Sequence, residues 1–212
     1  RMRRVPRPFP STSVIARALA HLPHPEPAGA SLEAAVMVLL HGSDLLLVRR
    51  QEVEGDKWSG HMGLPGGRHE PEDASLLETA LRETREEVGF DPLAHGRVLG
   101  TLGTYVAAHR ARGDTNIAVF VTELREKPQI LPSHEVAAAY WVDLQTLVLA
   151  HGTATVREVG DPVPAYVPHV DGDRLVVWGI TYGILERLRA IGRDEEDAEA
   201  AAHRARAEAQ GG

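Results

Sequence analysis

Three glutamates fall within five positions, at Glu83, Glu86 and Glu87, in the stretch GGRHEPEDASLLETALRETREEVGF that runs from Gly66 to Phe90. On a helix advancing about 100° per residue they share one side, spread over roughly 100°. Glu83 and Glu87 lie four apart and repel, at a cost of about 0.2–0.5 kcal/mol. A solvated acidic face is one reading of this pattern, and such faces are common. A platform for a hard divalent cation is the other. Mg²⁺ and Mn²⁺ take carboxylate oxygens and keep some of their waters, and acids at i, i+3 and i+4 supply those oxygens from a rigid support. The preceding LPGG reads as a loop and favours the second reading, because flexible backbone at Gly66 and Gly67 lets a ligand approach closely. Arg82 sits one turn before Glu86 and can pair with it, as Glu78 can with Arg82.

The elements that must hold these acids follow from periodicity. Leu77, Leu81, Thr84 and Val88 make one helical stripe, separate from the glutamates, so the spacing predicts a helix over Ala74–Val88. Asp73 is the expected N-cap and Gly89 the stop. LEAAVMVLL and DLLLVRR read as a strand hairpin turning at His41-Gly42-Ser43. RVLGTLGTYVAA, NIAVFVTEL and AAAYWV read as further strands, and Asp143 caps a short helix through Leu149. A short helix over Ser13–Leu22, capped by Ser11 or Thr12, is expected in the N-terminal arm. Turns at Gly160-Asp161 and Asp171-Gly172 mark a hairpin-rich segment, and ITYGILERLRAI is an amphipathic closing helix. Strands and helices mix without a strict βαβ rhythm, which points to an α+β fold. The division expected is an arm over residues 1–30, a domain over 31–192, and a charged Ala-rich tail over 193–212, a frayed helix or disordered.

Composition narrows the function. The 212 residues contain no cysteine, which excludes disulfides, zinc thiolates and cysteine nucleophiles and fits a cytoplasmic location. The net charge of −7 comes without a basic stripe, arguing against nucleic acid as a partner. No apolar run reaches the length of a membrane span.

The stretch from Gly66 to Phe90 resembles the Nudix box, whose pattern is Gly, five residues, Glu, seven residues, then Arg-Glu-U-x-Glu-Glu-x-Gly-U, with U bulky and apolar. Residues Arg82 to Phe90 match the second half, with Thr84 in a U position. Counting from Gly67, five residues lead to Asp73, and eight rather than seven precede Arg82. The chain is thus similar to a family with an α/β/α sandwich around a mixed central sheet. The resemblance implies hydrolysis of a nucleoside diphosphate linked to another group, with Mg²⁺ or Mn²⁺ as cofactor and a small nucleotide as partner. It implies Glu83, Glu86 and Glu87 as metal ligands, Arg82 as the residue that orients Glu86, and Gly66 and Gly67 as backbone of the metal and phosphate site. Glu86 is one candidate base. Glu135 in PSHEV is another, because family members often place an acid in a later loop; a plain surface acid is its alternative.

A narrower resemblance points to the coenzyme A pyrophosphatase branch, through the extra residue in the box and through VVWGITYGIL near the C-terminus. That branch has an Arg between its first strand and the glycines, where QEVEGDKWSG here places Asp56. The alternatives are (d)NTPs, oxidised nucleotides, nucleotide sugars or dinucleotides as substrates, or an inactive nucleotide-binding module. Arg50 and Arg68 flank the glycines and are the expected phosphate contacts, since a guanidinium binds phosphate bidentately. Lys57, His61, Arg110 and Arg112 are weaker candidates. Trp58 either stacks on a base or closes its loop, whereas Trp141 and Trp178 read as core. Leu185, Leu188 and Ile191 on the closing helix make either a packing face or a homodimer surface.

Overall fold

The computed structural model describes residues 7–22, 32–54, 59–107, 115–157 and 159–210. The expectations for Asp56, Lys57, Trp58, Arg110 and Arg112 lie outside them. The first helix, α1 (Thr12–Leu19), starts at Ser11, whose hydroxyl accepts from the Val14 N–H. Strands β1 (Leu32–His41) and β2 (Asp44–Arg50) form the expected hairpin, joined through Gly42 and Ser43. The segment expected as a glycine loop is instead two short strands, β3 (Met62–Gly63) and β4 (Gly66–Arg68). Helix α2 (Leu76–Val88) follows, then the single turn α3 (Pro92–His95) and strands β5 (Gly96–Ala107) and β6 (Thr115–Leu124). Next come β7 (Val136–Asp143) and α4 (Leu144–Leu149), the latter capped by Asp143 as the sequence suggests. The C-terminal region contains β8 (His151–Thr155), β9 (Pro162–Tyr166), β10 (His169–Val170), β11 (Asp173–Arg174) and β12 (Val177–Trp178), then α5 (Gly179–Gln210).

The main sheet runs β3-β2-β1-β6-β5, with β4 also paired to β1 and β7 to β2. β1 and β6 are parallel and the other pairings antiparallel, so the sheet is mixed. Its central strands are apolar on both faces because helices cover both. Side chains alternate along a strand. Accordingly Ala35, Met37 and Leu39 of β1, Leu46 and Val48 of β2, and Ala118 and Phe120 of β6 pack with Leu76, Ala80, Leu81 and Val88 of α2. The intervening residues Val38, Leu40, Leu45, Leu47, Val119 and Val121 pack on the opposite face with Ile15 and Leu19 of α1 and Ile184, Leu185, Leu188 and Ile191 of α5. This is an α/β/α sandwich of the α+β class. The apolar stripe of the closing helix is used inside the chain, with Leu185 and Leu188 fully buried. A second sheet, β12-β9-β8, sits beside the first. Among the described residues, no helix is long and apolar enough to cross a membrane.

Two sequence expectations need correction. Asp73 does not cap α2; Ser75 does, its hydroxyl accepting from the Glu78 N–H at 3.2 Å. The signal was present as Ser75-Leu-Leu-Glu78, the S-x-x-E spacing of a capping box. Trp178 belongs to neither core and is half-buried, whereas Trp141 packs partly against the α2 face under Lys127, whose ammonium is 5.4 Å from the ring centre.

Candidate active site

The site forms where β4 lies between β1 and α2. Gly66 and Gly67 pair with Val36 and Ala35 of β1. Gly66 adopts φ 149°, and a Cβ there would lie 2.3 Å from the Ala35 carbonyl oxygen. At Gly67 a Cβ would fall 2.4 Å from the Glu83 carboxylate, which occupies that space. Only glycine lets both the strand and the acid approach so closely.

The three glutamates sit in different environments. Glu86 is exposed, with 59% of its side-chain surface accessible, and Glu83 is largely covered at 15%. Glu87 is buried, contrary to its expected place on an open acidic side. It lies at the edge of the apolar stripe, where the helix turns it toward the sheet. Its Oε2 accepts the Gly66 N–H at 3.0 Å. Burial pushes the Glu87 carboxyl up to about 7, the Gly66 hydrogen bond opposes the rise, and repulsion from Glu83 and Glu135 adds to it. Burial also raises Glu83, with Arg82 opposing.

Arg82 organises the other acids. Its Nε and Nη2 donate to the two oxygens of Asp73 at 2.9 and 3.0 Å, and Nη1 donates to Glu83 and Glu86 at 3.0 and 3.1 Å. Nη2 also donates to the Arg68 carbonyl at 2.9 Å. Only 5% of the Asp73 side-chain surface is accessible, and the Arg82 guanidinium holds its carboxyl well below the usual carboxylate range. The Thr79 hydroxyl donates to Asp73 at 2.9 Å, and His69 Nδ1 lies 2.9 Å from that hydroxyl. Sequence reasoning assigned Asp73 to capping and missed this clamp; the nine-residue spacing from Asp73 to Arg82 gives no periodic sign of it.

The other candidates are placed as follows. Arg50 ends β2 on the face shared with Leu46 and Val48, and its charge draws Glu87 downward. Glu135 is 63% accessible, and its backbone carbonyl accepts the Gln51 N–H at 2.7 Å. Its charge acts on both Glu83 and Glu87, so it faces the same site. Arg68 contributes a carbonyl to Arg82 while its side chain is exposed. His61 lies before β3, edge-on to Trp178.

With Arg82 between Glu83 and Glu86, no three His, Asp or Glu side chains among the described residues converge tightly enough to hold one ion as placed. The chemistry of the donor set nevertheless suits a hard cation: every donor is a carboxylate oxygen, and Glu87 is a buried acid beside a second acid with one N–H as partner. Surface cavities of about 330 Å³ at Gly96–Arg97 and at Phe9–Thr12 lie away from these carboxylates.

The NUDIX domain family matches residues 31–160, which contain the glycine pair, α2 and all of these acids. The chain therefore belongs to the Nudix family. It is 38% identical over 109 residues to an uncharacterized protein of Schizosaccharomyces pombe, covering 50% of this chain and 33% of that one. It is 40% identical over 72 residues to an uncharacterized Nudix hydrolase NudL of Pectobacterium atrosepticum, covering 33% of this chain and 37% of the relative. A mitochondrial Nudix hydrolase 15 of Arabidopsis thaliana is 27% identical over 169 residues, 74% of this chain and 58% of the relative. The chain thus spans between a third and three fifths of these relatives. Among solved structures, a MutT protein of Methanosarcina mazei aligns with a TM-score of 0.53 at 18% identity, over 82% of this chain and 97% of its own, a likeness of fold.

Proposed function

We propose that this chain hydrolyses the pyrophosphate bond of a nucleoside diphosphate-linked substrate, with a divalent cation held by Glu83, Glu86 and Glu87. The observation that carries this reading is the buried Glu87 carboxyl, pushed up to about 7 beside Glu83 on a helix packed against two glycines. A charge placed at such cost is explained by a cation that offsets it. Membership in a family of hydrolases that use divalent metal ions supports the same reading.

When bound, Mg²⁺ or Mn²⁺ neutralises the anionic pyrophosphate and makes an attacking water more acidic. The protein side of the reaction is positional. Arg82, locked by Asp73, holds Glu86 at the open edge of the acid cluster. Glu86 accepts the proton of the attacking water on a carboxylate oxygen, with Glu135 as the second candidate for that role. Arg50, and Arg68 with its exposed guanidinium, donate to phosphate oxygens. The favoured substrate is coenzyme A or a derivative, cleaved to 3′,5′-ADP and 4′-phosphopantetheine. Its support is the extra residue between Gly67 and Arg82 and the VVWGITYGIL segment.

The test is Glu86→Gln assayed against coenzyme A, dNTPs, ADP-ribose and diadenosine polyphosphates with Mg²⁺ and Mn²⁺. Loss of a proton acceptor is expected to lower kcat about 10²–10⁴-fold. Unchanged turnover of every substrate would overturn the catalytic reading. Brisk dNTP turnover without coenzyme A cleavage would overturn the substrate assignment alone.

A further inference from the structure

The clamp on Arg82 does not end at Asp73. Asp73 Oδ2 accepts from Arg82 Nη2 at 3.0 Å, from the Thr79 hydroxyl at 2.9 Å and from the Glu70 N–H at 3.0 Å, while Oδ1 accepts from Arg82 Nε at 2.9 Å. Thr79 is fully buried in the first turn of α2. Its Oγ1 also lies 2.9 Å from His69 Nδ1 and 3.3 Å from the Ser75 carbonyl. His69 follows β4, and its own N–H donates to the Glu33 carbonyl of β1 at 3.0 Å.

Proton counting sets the direction of these bonds. A hydroxyl carries one proton and two lone pairs, whereas an ionised carboxylate only accepts. Asp73 is ionised at neutral pH, because Arg82 holds its carboxyl well below the usual carboxylate range. The Thr79 proton therefore lies toward Asp73; without it, two bare oxygens would face each other at 2.9 Å. The Ser75 carbonyl, neutral and more distant, is the poorer acceptor. With its proton committed, Thr79 meets His69 Nδ1 with a lone pair, so Nδ1 must carry a hydrogen. The neutral ring is then the Nδ1–H tautomer with a bare Nε2, and an imidazolium donates from Nδ1 as well.

We propose that Thr79 and His69 are positioning residues for Arg82: His69 Nδ1–H donates to Thr79, Thr79 donates to Asp73, and Asp73 fixes the guanidinium that holds Glu83 and Glu86. Each bond polarises the next, and the far end is anchored on β1 through the His69 backbone. Both residues act through Arg82. The proposal rests on the hydrolase reading only for its effect on rate.

Two readouts need no turnover. In ¹⁵N spectra of the metal-free full chain at about pH 8, where histidine side chains are ordinarily neutral, His69 is expected with Nδ1 protonated and Nε2 bare. Its signal is assigned by its loss in His69→Asn. Solvent exchange of the Arg82 Nε–H is expected to be about tenfold faster in Thr79→Val than in the wild type, the scale of one lost hydrogen bond. In kinetics on the fastest nucleotide of the panel above, Thr79→Val and His69→Ala lower kcat about tenfold and about threefold, with KM within about twofold. Thr79→Ser and His69→Asn keep a donor in each place and recover most of the loss. In the Asp73→Asn background, Thr79→Val lowers kcat by less than about twofold more. Circular dichroism checks folding; if Thr79→Val does not fold, the same comparisons in His69→Ala decide. An Nε2–H tautomer at His69, or Arg82 exchange at the wild-type rate in the folded variant, overturns the relay. Wild-type kcat in both variants, or a loss that Thr79→Ser and His69→Asn leave in place, overturns the positioning role. The hydrolase reading fails if Glu86→Gln leaves turnover unchanged or the wild type cleaves none of the panel, and the spectra still decide the relay, so the two failures are distinguishable.

Discussion

Two arginine networks in this molecule use similar groups for opposite ends. Arg82 collects Asp73, Glu83 and Glu86, and its most distant hydrogen-bond partner in sequence, the Arg68 carbonyl, is 14 residues away. Arg189, buried in α5, pairs with Glu186 and donates to the Arg7 carbonyl at 2.9 Å across 182 residues. Arg193 donates to the same carbonyl at 3.1 Å, and the Tyr166 hydroxyl donates to Glu186. Gly192 leaves room for Pro10, which a Cβ would meet at 2.6 Å, and the Gln145 amide bonds both backbone groups of Phe9. The second network thus ends on a neutral peptide group and fastens the N-terminal arm. The first has more acids than one arginine can neutralise, and leaves Glu87 beyond Arg82 altogether. The first network is left with excess acid, whereas the second spends its arginines on a peptide carbonyl and marks a joint.

That contrast can be broken at several points. The largest effect is expected at Glu87. A carboxyl whose folded value is about 7 against an ordinary 4.5 binds more protons when folded, so its cost is absent below about 4.5 and complete above about 7. The metal-free protein should lose on the order of 3 kcal/mol of stability as pH rises through that window, at about 1.4 kcal/mol per unit. Glu87→Gln should flatten the dependence in urea unfolding measured from pH 4 to 8. A slope equal in both proteins would show that Glu87 is not strained.

The next largest is Asp73→Asn, which removes the charge and one of the two carboxylate oxygens that orient Arg82. We expect about 10–100-fold lower kcat, as for other residues that orient a ligand-bearing side chain. Asp73→Glu should restore part of it. Equal kcat in Asp73→Asn and wild type would dissolve the clamp.

Arg189→Met should act on stability instead. Loss of hydrogen bonds from a buried charged group costs about 1.5–3 kcal/mol. Thermal unfolding checks this, with the substrate KM expected to stay in place. A raised KM with unchanged stability would make this network part of the site. The smallest effect belongs to Arg7→Ala, since the Arg7–Asp197 pair is a surface ion pair at 2.9 Å. Its effect on Tm should vanish as salt approaches about 1 M, where the Debye length is about 3 Å.

Local spacing accounts for much of what the sequence made legible. The hairpin at Gly42, the cap at Asp143, the C-terminal stop at Gly89 and the clustering of Glu83, Glu86 and Glu87 all depend on residues within a few positions of one another. Strand alternation and helical period sorted most of the core in advance. The misreadings have physical causes too. Periodicity placed Glu87 with its neighbours, because a helical plot gives angles and cannot give the sheet that covers one edge. The glycine segment looked like a loop because glycine has low strand propensity, yet β1 holds it as a strand through backbone pairing. Trp178 looked like core because indoles are apolar, and its half-buried place depends on β3 being adjacent.

By itself, then, the sequence determined the acids, the glycines and the helix that joins them, because each is specified by neighbours within two or three turns. Tertiary structure decided how those groups differ from one another. It buried Glu87 and exposed Glu86, turned Asp73 from a cap into a clamp, and brought Asp173 and Trp178 to strands more than a hundred residues earlier. Burial and long-range approach set the energies of charged groups, and neither is written in local spacing.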